Sequence, residues 1–349
     1  MHMQNVSRAP VYIVVALLLG AALYILSTRQ SVKNTLLKTP KQSASPPSVS
    51  SVPLSIEYMR QQKYPGSDIT IEEQLPPGSN YDRYLTSYQS DGLKIYALLT
   101  VPQGTPPTGG WPVIIFNHGY IPPAEYQTTE RYIAYTDAFS RNGYVLFRPD
   151  YRGHGNSEGT PEGGYYSPAY TIDVLNAVAS VKKYPGVNPA KIGMWGHSMG
   201  GHITLRSMVT TKDVKAGVIW AGVVANYEDL ANNWRRSRPF MPSQREQITR
   251  RPGRQSLIAK YGDFQANPHF WQSIAPISFV KDVSGPIQIH HGTADEEVPV
   301  LFSERLRDAL KEEGKPVEMY TYEGDDHNVS QNLGLALERS VAFFDRYLK

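Results

Sequence analysis

From Tyr84 onward, apolar residues recur with a period that switches between two and about 3.6, and that switching is the chain's first legible feature. Arg83 to Pro102 holds two short alternating stretches, around Tyr84–Tyr88 and Lys94–Val101. The Ser90-Asp91-Gly92 turn between them predicts a β-hairpin. Val113–Asn117 (VIIFN) predicts a buried strand, Glu130–Asn142 a helix, and Tyr144–Arg148 (YVLFR) another buried strand. Ile172–Lys183 predicts an amphipathic helix, with Ile172, Val174, Leu175, Val178 and Val181 on its apolar side. A strand at Lys191–Trp195 (KIGMW), a helix at Gly200–Thr210 and a strand at Ala216–Val224 follow. A strand at Ile287–His290, a helix at Leu301–Glu313, a strand at Val317–Tyr322 and a helix at Gln331–Tyr347 close the pattern. Strands alternating with helices predict right-handed crossovers and a mostly parallel α/β sheet covered on both faces. Ligands of such sheets bind beyond the carboxyl ends of the strands, so chemistry is sought just after each strand.

Two regions depart from the rhythm. Asn226 to Val280 separates two strands and is rich in Arg, Trp and Pro; an insertion of that length predicts a cap over the site. At the other end, Ala9 to Leu26 carries no charge and is long enough to cross a hydrocarbon core of about 30 Å. It reads either as an uncleaved anchor or as a signal peptide; the lack of a small-x-small site after the run favours the anchor. Arg8 precedes the segment, and Arg29, Lys33, Lys38 and Lys41 follow it. The positive-inside rule would keep the folded part cytoplasmic, whereas a single N-terminal anchor on an extracytoplasmic enzyme would place it outside; both stay open. Thr39 to Pro53 is dominated by Ser and Pro and predicts a flexible tether. The expected organisation is an anchor or signal at 1–28, a linker at 29–55, and one catalytic domain at 56–349 with its cap at about 226–280.

Composition narrows this little. The 349 residues suffice for one large domain with appendages. A formal net charge of +3 is too small to argue for nucleic acid. The absence of cysteine excludes disulfides, thiolate metal sites, a cysteine nucleophile and lipidation on cysteine, without fixing the compartment.

Gly196-His197-Ser198-Met199-Gly200 fits G-x-S-x-G. The motif is short, but KIGMW runs directly into it and Gly200-Gly201-His202-Ile203 opens a helix. A serine on such a strand-to-helix turn has a strained backbone that exposes its Oγ, and glycines flank it because a Cβ would strike the neighbouring strand and helix. The helix N-terminus adds a positive dipole end. The plain alternative is a serine N-cap in an ordinary turn.

GHSMGG, the earlier Asp150-Tyr151-Arg152-Gly153-His154-Gly155-Asn156-Ser157-Glu158-Gly159 and the later His291-Gly292-Thr293-Ala294-Asp295-Glu296-Glu297-Val298-Pro299 resemble α/β-hydrolases. More narrowly, they resemble the catalytic domain of the prolyl oligopeptidase family and its esterase relatives, over roughly Tyr84 to Leu348. Fewer than a hundred residues precede that region, where prolyl oligopeptidases carry a β-propeller. The resemblance implies the α/β-hydrolase fold and a triad in the chain order Ser, acid, His. A serine hydroxyl needs a base to take its proton and a carboxylate to hold that base in one tautomer. His269, His290, His291 and His327 lie downstream of Ser198; His327, in the loop between the last strand and the last helix, is the candidate base. Asp295 matches the aspartate of H-G-x-x-D-x-x-V-P and is the candidate acid. Its neighbours Glu296 and Glu297 are out of register, and Asp325 or Asp326 is the alternative. All three acids at 295–297 also suit a helix N-terminus through its dipole.

The oxyanion hole needs two donors. One is the backbone N–H of Met199; the resemblance assigns the other to Tyr120, in the Asn117-His118-Gly119-Tyr120 loop, whose phenol is a further donor. Arg152-Gly153-His154-Gly155 looks like a metal or phosphate loop but implies a structural turn in this family. Arg235, Arg236, Arg238, Arg245, Arg250, Arg251 and Arg254 in the cap read as a solvated face, or as a site for an acidic substrate or an anionic membrane surface. Trp234, Phe240 and Trp271 are candidates for a pocket lining. No metal or cofactor site is predicted. Two activities share the triad, hydrolysis of acyl esters and cleavage of short peptides; an inactive binding protein on the same fold is the third reading.

Overall fold

Nine strands form one sheet in the order β1-β2-β3-β5-β4-β6-β7-β8-β9, in a computed structural model that describes residues 51–234 and 253–349. The strands are β1 Thr70–Leu75, β2 Tyr81–Ser90, β3 Leu93–Pro102, β4 Trp111–Asn117, β5 Val145–Pro149, β6 Val187–His197, β7 Val214–Trp220, β8 Ile287–Gly292 and β9 Val317–Tyr322. β1, β2, β3 and β5 pair antiparallel; β5, β4, β6, β7, β8 and β9 pair parallel. This is the α/β-hydrolase architecture. Asp91 and Gly92 join β2 to β3 with φ of 51° and 76°, the positive angles that a two-residue hairpin turn demands.

The helices are α1 Ile56–Gln61, α2 Ile133–Arg141, α3 Ala169–Val181, α4 Met199–Thr210, α5 Tyr227–Asn232, α6 Arg254–Tyr261, α7 Pro268–Ile274, α8 Val300–Glu312 and α9 Leu333–Leu348. They sort to the two sides of the sheet because neighbouring strand residues face opposite ways. Val113 and Ile115 of β4 join a core with Val174 and Val178 of α3, Ile203 and Met208 of α4, and Phe302 and Leu306 of α8. Ile114 and Phe116 join the other core with Phe139 of α2 and Leu337, Val341 and Phe344 of α9. Both faces are buried, which is why VIIFN reads as an unbroken apolar run.

Register brings the strand ends to one edge. Asn117 lies opposite Gly196, His197 opposite Trp220, and Trp220 opposite His290. The segments after β4, β6 and β8 therefore emerge together. An ion-pair cluster secures the flank of this edge. Asp173 of α3 accepts from Arg152 Nε at 3.0 Å and Nη2 at 2.7 Å, while the same Nη2 reaches Asp91 at 3.0 Å. Arg152 is thus spent on structure, linking the hairpin turn to α3.

Several boundaries differ from the sequence reading. The helix read at Glu130–Asn142 starts at Ile133, because Arg131 and Tyr132 take left-handed backbones with φ of 57° and 50°. The strand read to Val224 ends at Trp220: Ala221 turns the chain at φ 45°, and Val223 N–H donates to Ser198 C=O at 3.2 Å. β1 and α1 had no counterpart in the sequence reading. Val52, Leu54 and Ser55, in the last residues of the linker expected at 29–55, are buried. The segment Ala9–Leu26 and most of the linker lie outside the described residues, as do the cap residues Arg235, Arg236, Arg238, Phe240, Arg245, Arg250 and Arg251. Among the described residues no helix is long and apolar enough to cross a membrane.

Candidate active site

Ser198 sits between β6 and α4 with φ 55° and ψ −115°. A non-glycine residue held there stores on the order of 1–3 kcal/mol of strain, and such strain persists only where the surroundings over-determine it. The surroundings do. Ser198 N–H donates to Trp220 C=O at 2.9 Å, and its own C=O accepts from Gly201 and Val223. A Cβ on Gly200 would lie 1.9 Å from the carbonyl oxygen of Asn117, and one on Gly196 would lie 2.3 Å from Gly200 C=O. Only glycines let the turn close this tightly against β4.

Asp295 follows β8. Its Oδ1 accepts the N–H groups of Glu297 and Val298 at 2.8 and 2.9 Å. Its Oδ2 takes His327 Nδ1 at 2.7 Å and His291 Nε2 at 3.0 Å. All four neighbours are donors. Burial alone would raise the Asp295 carboxyl, but the hydrogen bonds from His291 and His327 outweigh it and hold the group well below the usual carboxylate range. An ionised Asp295 fixes the proton of His327 on Nδ1 and leaves Nε2 with a lone pair. The alternative acids are engaged in their own loop. Asp325 accepts from the N–H groups of Gln331 and Asn332. Asp326 accepts from those of Asn328 and Ser330. Glu297 leaves its mostly exposed carboxylate 4.0 Å from His327 Nε2.

The third element arrives beside the first two. His197, the residue before Ser198, has its Nε2 3.0 Å from His327 C=O, and the two imidazole rings lie 4.5 Å apart. The structure therefore joins Asp295 to His327 directly, and packs the loop of His327 against the turn that carries Ser198.

The loop after β4 lies against the same turn: a Cβ on Gly119 would be 3.3 Å from Ser198 Cβ. Its peptide planes are pinned. Tyr151 hydroxyl donates to His118 C=O at 3.1 Å, and Gly119 N–H donates to Tyr132 hydroxyl at 3.0 Å, so the unit between residues 118 and 119 is held at both ends. His118 Nδ1 lies 2.7 Å from Gly119 C=O. That fixes the next unit, and in a trans peptide the Tyr120 N–H points opposite to the held carbonyl. The His118 ring is stacked between Tyr126 at 4.6 Å and Tyr151 at 4.3 Å.

Tyr126 is held in turn by Asp150, whose carboxylate accepts from the hydroxyls of Tyr126 at 2.9 Å and Thr128 at 2.5 Å. Burial pushes the Asp150 carboxyl up to about 7, against the opposing pull of those hydrogen bonds and of Arg148. The folded state then keeps a proton that the unfolded chain, near the ordinary value of about 3.9, releases. This contribution to stability is complete below pH 4 and disappears as pH rises through about 7. Urea unfolding of the wild type should therefore lose on the order of 4 kcal/mol between pH 4 and pH 8 relative to Asp150→Asn. Parallel pH profiles for the two proteins would refute this.

Tyr120 and Met199 both line a cavity of about 970 Å³, large enough for a drug-sized ligand. Tyr165, Tyr166, Trp234 and Tyr261 give it aromatic walls, and Arg254 and Lys260 place cations on its border. Of the aromatic residues read as pocket lining, Trp234 lines this cavity, whereas Trp271, packed against Phe264 and Phe270, lines a separate cavity of about 440 Å³. One wall depends on Arg206, two turns into α4. This buried guanidinium donates to the carbonyls of Gly164, Tyr165 and Ser167 at 3.0–3.1 Å and to Tyr227 hydroxyl at 2.8 Å. Neither Arg206 nor Tyr132 carries a sequence signal: Arg206 reads as an ordinary helix residue, and Tyr132 as part of α2.

Residues 131–349, well over half of the chain, match the model of the prolyl oligopeptidase family. The uncharacterized peptidase YtmA of Bacillus subtilis is 24% identical over 264 residues, covering 74% of this chain and 91% of YtmA. Est1E from Butyrivibrio proteoclasticus, solved with ferulic acid bound, is 25% identical and superposes with a TM-score of 0.57, covering 75% of this chain and 98% of Est1E. The acylaminoacyl peptidase of Pyrococcus horikoshii is 20% identical with a TM-score of 0.59; the match covers 78% of this chain but only 42% of that peptidase.

Proposed function

The chain belongs to the prolyl oligopeptidase family of serine hydrolases, and we propose that it cleaves acyl esters through an acyl-enzyme formed on Ser198. The observation that carries this reading is the Asp295–His327 pair at 2.7 Å, in a loop packed against the strained turn of Ser198. Ser198 Oγ attacks the ester carbonyl while His327 Nε2 accepts its proton. Negative charge develops on the carbonyl oxygen, where the N–H groups of Met199 and Tyr120 meet it. The tetrahedral intermediate collapses, the C–O bond breaks, and His327 returns the proton to the departing alkoxide. Water then attacks the acyl-enzyme, giving its proton to His327, and the acid leaves as Ser198 recovers it. Asp295 stays ionised and stabilises the imidazolium formed in each half. The acyl group lies in the aromatic-walled cavity beside Met199. Est1E, matched over 98% of its length, was solved with ferulic acid, a free carboxylic acid of the kind that ester hydrolysis releases, and that supports the ester reading.

A second reading, cleavage of short peptides, is favoured by the match to YtmA over 91% of its length. One comparison separates the two: p-nitrophenyl butyrate against a panel of aminoacyl p-nitroanilides. The ester reading expects turnover of the butyrate with at least a thousandfold lower kcat/KM on every anilide, about 4 kcal/mol of discrimination. An anilide processed within tenfold of the ester would overturn it in favour of the peptidase.

A further inference from the structure

We infer that Tyr132 and His197 are positioning residues that lock the oxyanion loop, the nucleophile turn and the loop of the base into one hydrogen-bonded line. The inference rests on the acyl-enzyme reading above and adds two residues to it. The line runs from Gly119 N–H to Tyr132 hydroxyl at 3.0 Å, from Tyr132 hydroxyl to His197 Nδ1 at 2.8 Å, and from His197 Nε2 to His327 C=O at 3.0 Å.

Every proton in it has one consistent place. A carbonyl only accepts, so His197 Nε2 must donate to His327. The neutral ring then offers Nδ1 as an acceptor, which Tyr132 O–H fills. That leaves a lone pair on the Tyr132 oxygen, and Gly119 N–H takes it. Burial, and the neighbouring His327, bring His197 down to about 3, while burial pushes Tyr132 up to about 12, so both stay neutral over the working range. A neutral His197 also spares His327 a second positive charge when it becomes imidazolium.

The backbone is bent to make this possible. Tyr132 and the residue before it are both left-handed without being glycine, at φ 50° and 57°. The strained segment is strapped down by Arg148, which is buried and donates to the carbonyls of Thr128, Glu130 and Arg131. The distortion sets the Tyr132 ring edge-on to Phe116, with centroids 5.4 Å apart, and its hydroxyl within reach of both Gly119 and His197. A tyrosine needed only to fill space could begin α2 without that distortion.

Three separate pieces of the chain must agree to within a fraction of an ångström for acyl transfer, and a misplacement of about 1 Å costs on the order of a hundredfold in rate. In the purified full-length protein, Tyr132→Phe keeps the ring and removes only the hydroxyl. It is expected to lower kcat on p-nitrophenyl butyrate by about 10- to 100-fold, with KM changed less than about twofold, and to slow labelling by a fluorophosphonate in proportion. His197→Gln keeps an N–H within reach of His327 C=O and is expected to retain more activity than His197→Leu. In the His197→Leu background, Tyr132→Phe is expected to add less than about twofold, because the line is already broken. A Tyr132→Phe enzyme with kcat within twofold of wild type overturns the inference. So does a double variant whose losses multiply, or equal activity in the two His197 variants, which also decides the matter if Tyr132→Phe does not fold. A Ser198→Ala protein with kcat within tenfold of wild type would instead sink the acyl-enzyme reading itself.

Discussion

Ser198→Ala is expected to lower kcat on p-nitrophenyl butyrate by about a millionfold and to abolish fluorophosphonate labelling, while the fold is kept. The size follows from the division of labour in the site. Without the hydroxyl there is no acyl-enzyme, and His327 has no proton to accept. The donors at Tyr120 and Met199 still polarise a bound carbonyl, so a residual rate above that of water remains. Alanine adopts the same backbone with the same strain, and the hydrogen bonds that pin residue 198 all use its main chain. The melting temperature should therefore stay close to that of the wild type. Mass spectrometry of the labelled protein is the direct check, and an adduct on the Ser198→Ala protein would remove the serine from its assigned place.

Asp295→Asn should cost about 10⁴ in kcat, for a reason of proton placement. Both oxygens of Asp295 face donors only: two backbone N–H groups on Oδ1, and His327 and His291 on Oδ2. An amide in that place must aim its NH₂ at one of these sets. Aimed at the histidines, it donates to His327 Nδ1 and moves the ring proton to Nε2, where the lone pair for Ser198 is needed. Aimed at the backbone, it leaves buried N–H groups facing another donor. The same argument gives a sign for stability. The Asp295 carboxyl is held below its ordinary value, so its contribution is fully present above pH 4 and fades as pH falls through the folded-state value. The stability gap between wild type and Asp295→Asn should be widest at neutral pH and narrow in acid. A gap that widens on acidification, in denaturant melts, would contradict this.

Much of the site is legible before any coordinates, because it is built at strand ends and strands announce themselves. VIIFN, YVLFR and KIGMW are apolar over most of their length since both sheet faces are covered, and each prediction falls on an observed strand. Asp91-Gly92 specifies a hairpin because few other pairs tolerate two positive φ angles. The Gly196 and Gly200 positions are forced by contacts under 2.5 Å that any Cβ would make. What stayed hidden depends on tertiary context. β1 is an exposed edge strand whose residues, TIEEQL, have no apolar face to mark it. The left-handed turn at Arg131 and Tyr132 uses no glycine, asparagine or aspartate, so the helical period runs straight through it. Val52 and Leu54 sit at the end of a linker whose Ser and Pro content gives no sign of packing, yet both side chains are buried.

The position of Arg206 has a consequence for anyone redesigning this enzyme. α4 begins just after Ser198, the proposed nucleophile, and two turns later the same rigid rod clamps three carbonyls of the segment at 164–167. The proposed nucleophile's turn and one wall of the cavity are thus bolted to a common shaft. A transplanted 163–168 loop will work only if it offers oxygens to that guanidinium at the same heights. One that does not will leave a cation stranded in the interior, and will tilt the shaft on which the chemistry turns.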